Sequence, residues 1–141
     1  MRSCILGALA FIALGQLRAQ PKTATAPTTH VEYKVVESRA AMRIVVIKPQ
    51  DRTEAKLRAL GRNLKAVFAS LPVVIVMVFD NEQAAKMYDR MSASGGSLGG
   101  TDDAFYDRHT VANYSHNKNT RHEQYSYFPD GGNGRQIDVV P

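Results

Sequence analysis

Seven apolar residues in succession, Val73 to Phe79, stand between Pro72 and Asp80. The run is far shorter than the about 20 residues a helix needs to cross a bilayer, and it is rich in β-branched side chains. It reads as a central strand with both faces covered, or nearly so. Such a strand needs neighbours on either side and an apolar layer against it. Leu57, Leu60, Leu64, Val67, Phe68 and Leu71 supply that layer, recurring at three- and four-residue steps and ending at Pro72. They predict an amphipathic helix capped by Asp51 or Thr53, with Glu54 in the first turn where the helix dipole favours it. Gly61 inside this helix costs about 1 kcal/mol against alanine. It marks a close approach to the sheet.

Val31, Tyr33 and Val35 alternate with Glu32 and Lys34, the period of a half-buried strand. Ser38 to Ala40 make a turn, and Met42 to Ile47 form a second strand that Pro49 ends. After the central strand, Asp80 or Asn81 caps a second helix carrying Ala84, Ala85, Met87, Tyr88 and Met91. That helix frays into the glycine-rich stretch from Ser94 to Gly100. Thr110 to His116 and His122 to Phe128 are β-type runs joined by Asn117 to Arg121, whose asparagines suit a hairpin loop. Pro129 to Gly134 turn the chain again, and Gln136 to Val140 add a last strand. The order ββαβα, followed by a three-stranded antiparallel meander, predicts a two-layer α+β domain with a mixed β-sheet and two helices on one face. Met42 to Phe79 form a right-handed parallel crossover, and Leu64 is expected to meet Ile75 across the layer.

The N-terminus carries Arg2, an apolar run from Cys4 to Leu14, and a short polar stretch ending in Ala19. Residues 1–19 are expected to be a removable signal peptide, residues 20–29 a disordered leader of Pro, Thr, Ala and Lys, and residues 30–141 a single domain. The expected location is therefore exported, periplasmic or secreted, with no membrane span in the mature form. Cys4 is the one cysteine and leaves with the signal, which removes disulfides, thiolate nucleophiles and iron–sulfur ligation from consideration. Arg2 and Arg18 leave too, so 16 basic residues face 13 acidic ones and the net charge falls from +5 to +3. That is ordinary solubility, without the basic stripe of a nucleic-acid binder.

Four groupings carry possible chemistry. Gly95-Gly96-Ser97-Leu98-Gly99 matches a nucleophile elbow in spelling, but it follows a helix instead of a strand and reads as a connector. His109, His116 and His122, with Asp102, Asp103 and Asp107 upstream, resemble a metal-ligand set only loosely, because none shows one-face helical spacing. Asn113, His116, Asn119, His122 and Glu123 can form a polar row with histidine as general base. Tyr106, Tyr114, Tyr125, Tyr127 and Phe128 make the meander aromatic, and with basic Lys118 and Arg121 at its tip it can form a contact surface in which Tyr125 and Tyr127 anchor a partner.

The segment from Ala112 to Glu123 resembles a pattern of small exported bacterial proteins with no assigned activity. In these an aromatic-x-x-Asn-x-Asn-Thr hairpin leads into a Glu-bearing strand. Val76 to Asp80 followed by Ala84-Ala85 is similar to the strand and helix that precede it there. The pattern has Gly after Asn119-Thr120, where this chain has Arg121. The resemblance implies the fold and export and carries no activity.

The expected function is a non-enzymatic binding or accessory module that meets a protein or glycan through Tyr114, His116, Asn117, Asn119, His122, Tyr125 and Tyr127. The alternative is a small hydrolase using His116 or His122 with neighbouring Asn and Asp residues. No cofactor and no metal are expected.

Overall fold

In the computed structural model, which describes residues 30–139, the strand expected at the centre lies there. The expected signal (1–19) and leader (20–29) lie outside the described residues, as do residues 140–141. β1 (Tyr33–Arg39), β2 (Met42–Ile47), β3 (Val73–Phe79), β4 (Thr110–Asn117), β5 (His122–Tyr127) and β6 (Ile137–Val139) form one sheet in sequence order. Only β2 and β3 are parallel, and helix α1 (Glu54–Phe68) connects them. The α+β class and the mixed sheet are as the sequence predicts.

The placement of the helices differs from the expectation. α1 lays Leu57, Leu60 and Leu64 on Val45, Ile47, Val74, Val76 and Val78. Strand residues one position along point the other way. Ile44 and Phe79 therefore pack with Ala84, Ala85, Met91 and Tyr106 on the opposite face. These come from α2 (Glu82–Lys86), α3 (Tyr88–Ala93) and α4 (Gly100–His109). Helices thus lie on both faces of the sheet rather than one, with α2 to α4 covering the second face at the Ile44 and Phe79 end and leaving Ile75 partly open. Asn81, not Asp80, caps α2, its Oδ1 accepting from Gln83 N at 2.8 Å and Ala84 N at 3.2 Å.

Helix α4 has no counterpart in the sequence reading. It lacks an apolar stripe, and the tandem Asp102-Asp103 forms its first turn. Asp103 ties the glycine-rich connector down, accepting from Leu98 N at 2.5 Å and Ser97 Oγ at 2.6 Å.

The same alternation overturns the pairing of Leu64 with Ile75. Leu64 is fully buried on the α1 side, whereas Ile75 lies on the other face, 40% exposed. Leu64→Ala is expected to cost about 2–5 kcal/mol in urea unfolding. Ile75→Ala should cost no more than about 1 kcal/mol. Comparable losses from the two would contradict this arrangement.

Candidate functional site

Along α1, residues three or four apart share one side, about 4.5–6 Å per step, and along β5, residues two apart are about 6.8 Å apart. The two spacings nearly match, so α1 and β5 meet in successive pairs. Arg58 lies with its guanidinium 5.6 Å from the centre of the Tyr127 ring. At Gly61 a Cβ would come within 2.6 Å of the Tyr125 ring carbons, so only glycine admits the ring. The Tyr125 hydroxyl then donates to the Leu57 carbonyl at 2.6 Å. One turn further on, Lys65 Nζ donates to Glu123 Oε2 at 2.9 Å. Ala69, the C-cap of α1, continues the ridge to the tip of the β4–β5 hairpin. A cleft of about 330 Å³ opens between them, lined by Ala69, Lys118, Arg121 and His122 among others.

A hydrogen-bonded chain forms one wall. His116 and Glu123 face each other across β4 and β5. The Leu71 carbonyl can only accept, so His116 Nε2, 2.8 Å away, carries a hydrogen. His116 Nδ1 lies 2.9 Å from Tyr114 Oη, which donates to Glu123 Oε1 at 2.9 Å. The Lys65 hydrogen bond, aided by the Tyr114 hydroxyl, holds the Glu123 carboxyl below its ordinary value. Burial, with the Glu123 hydrogen bond, pushes the Tyr114 hydroxyl well up. The His116 ring is held between the Leu71 carbonyl and the Tyr114 hydroxyl, which fixes its orientation in the wall.

Of the residues singled out from sequence, Tyr114, His116, Asn117 and His122 line the cleft. Asn119 sits in the turn, its N–H donating to Asn117 Oδ1 at 3.0 Å. Tyr125 and Tyr127 are fully buried beneath α1, so neither ring can anchor a partner. Their alternation marked one face correctly, but that face is the core. His116 and His122 do not form one row either. His122 pairs with Asn117 and points to the other face, where its Nε2 is 3.4 Å from Ser115 Oγ. Lys65 and Ala69 went unseen because they lie about fifty residues upstream; the four-residue interval from Gly61 was their signal.

The third histidine belongs elsewhere. His109 Nδ1 is 2.7 Å from Asp80 Oδ1, and Arg52 Nη1 donates to Asp80 Oδ2 at 3.0 Å. Asp80 is buried at the carboxyl end of β3, so this cluster ties the entry to α1 and the end of α4 to the sheet. Among the described residues, no three His, Cys, Asp or Glu side chains gather as a metal-ligand set. A second hollow of about 270 Å³ lies on the uncovered face of β3 to β5, over Ile75, Met77, Asn113 and Gln124.

No protein-family model, no curated protein and no solved structure matches the chain. The functional reading rests on the geometry.

Because Glu123 titrates lower in the folded state than in the unfolded chain, its stabilisation is present above about pH 4.3 and is lost as pH falls through the lowered folded value. The pair is partly exposed, which keeps its contribution within about 1 kcal/mol. Melting curves of wild type and Glu123→Gln should diverge as pH rises from about 3 to 5, with wild type gaining. Parallel pH profiles would contradict the assignment.

Proposed function

We propose that this chain is an exported, non-enzymatic binding module whose contact site is the cleft between the end of α1 and the β4–β5 hairpin. The observation that supports this reading is the cleft itself, bordered by cationic side chains and backed by a wall in which His116, Tyr114 and Glu123 hold one another in place. A wall of that kind is preorganised, which reduces the ordering a ligand must impose. The partner is a glycan or a protein of the envelope or the exterior.

The hydrolase alternative is disfavoured at its first histidine, because His116 is buried, with Nε2 bonded to the Leu71 carbonyl and Nδ1 set against the buried Tyr114 hydroxyl. His122 is exposed, but its nearest hydrogen-bonding group is a serine hydroxyl instead of an orienting carboxylate. The suitable contact residues are Lys118 and Arg121, with Tyr125 and Tyr127 reassigned to the core.

Amide shift mapping of the ¹⁵N-labelled domain against envelope glycan and protein fractions is expected to move resonances at residues 116–123 and at Ala69. A footprint confined to the open hollow near Ile75 and Gln124 would contradict the proposed site. Export has its own test. Mass spectrometry of the protein recovered from outside the cytoplasm should find an N-terminus at Gln20, and intact Met1 there would overturn it.

A further inference from the structure

We propose that the hairpin cleft binds the anionic group, a carboxylate, phosphate or sulfate, of a ligand about the size of one sugar. This rests on the binding reading above and adds the chemical class of the ligand.

The charge balance of the cleft comes first. Lys65, Lys118 and Arg121 line it, against one carboxylate, Glu123. That carboxylate is already committed, with Oε1 accepting from Tyr114 and Oε2 from Lys65. Among the described residues, the ion pairs of the domain include neither Lys118 nor Arg121. Lys118 Nζ makes one long hydrogen bond, 3.3 Å to the Ser70 carbonyl, which leaves two of its hydrogens available. Two uncommitted cations in one concavity focus a positive field and raise the local concentration of anions.

Arg121 is the second observation. Its φ of 56° lies in the left-handed region, which favours glycine. A glycine would close this hairpin without strain, and the arginine found there instead lines the cleft with no side-chain hydrogen bond or ion pair among the described residues. The planar fork of a guanidinium matches an oxyanion in two parallel hydrogen bonds.

Size and surface narrow the ligand. A volume of about 330 Å³ is at the small end of ligand sites, which span about 300–1,000 Å³. No Phe or large aliphatic side chain lines the cleft, and the Tyr114 ring is fully buried. A protein interface generally depends on desolvated aromatic or aliphatic anchors, and this cleft offers none. A compact, hydroxyl-bearing anion fits it better.

Calorimetry of the mature chain at low ionic strength, with glucuronate, glucose 6-phosphate, inorganic phosphate and glucose as probes, tests the inference. At least one anionic sugar should bind, glucose should not, and raising the salt should weaken the binding. Arg121→Gln should lower the affinity about tenfold or more. Arg121→Gly should do the same while leaving the melting temperature equal or higher, because glycine suits the left-handed turn. No binding of any anion, equal binding of glucose, or unchanged affinity in either variant would overturn the proposal. Inorganic phosphate binding as tightly as glucose 6-phosphate would overturn its sugar part. Absence of anion binding together with a cleft footprint from envelope material would end this inference and leave the binding module standing. A footprint elsewhere would end both.

Discussion

Gly61 has no side chain, and the Tyr125 ring occupies the place one would take. This approach fixes where α1 crosses the sheet, because the ring is fully buried and its hydroxyl is bonded to the Leu57 carbonyl one turn earlier. Once that pair is seated, the near-equal steps of helix and strand place Lys65 over Glu123 and carry Ala69 out to the hairpin tip. The cleft exists because the ridge of α1 outlasts the apolar pairing beneath it. Below Glu123 the face is closed by tyrosines, and above it the closing groups are polar and charged.

This arrangement divides the meander's aromatic residues from its polar ones. Tyr114, Tyr125 and Tyr127 serve as core residues whose hydroxyls reach the edges of the α1 layer, and burial pushes all three hydroxyls up from their ordinary values. Their rings fill the space between the helix and β4–β5, where shorter aliphatic side chains would leave voids. The residues left for recognition are those at the turn, held by backbone and Asx geometry instead of by packing. A rigid wall beside an exposed, cationic turn suits the capture of a small polar group better than the docking of an apolar surface.

The central strand, the α1 stripe, the β1–β2 pair and the β4–β5 hairpin were all legible, since each announces itself by period or by punctuation. Gly61 also read correctly, as a place where the helix approaches the sheet. The face assignment did not follow from the same signals. Alternation in β5 shows that Tyr125 and Tyr127 share a side, but not whether that side meets a helix or solvent. For Ile75, a strand apolar on both faces gives no indication of which residues face α1. Helix α4 was invisible for a different reason: its ten residues carry Phe105 and Tyr106 side by side instead of a stripe, its N-cap is Gly99 with no capping side chain, and its Asp103 carboxylate acts on the loop before it. The cleft was half legible. Its hairpin side is contiguous in sequence, while its helix side depends on a register that only the folded chain defines.

Equilibrium unfolding of Gly61→Ala tests the central claim most directly. Helix propensity alone would make alanine more stable by about 1 kcal/mol. If the Tyr125 ring sets the position of α1, the added methyl must displace a buried, hydrogen-bonded aromatic ring, and the variant is expected to lose about 1–3 kcal/mol. A Gly61→Ala protein as stable as wild type, or more so, would show that α1 is not held against the sheet by this contact, and the account of the cleft would fall with it.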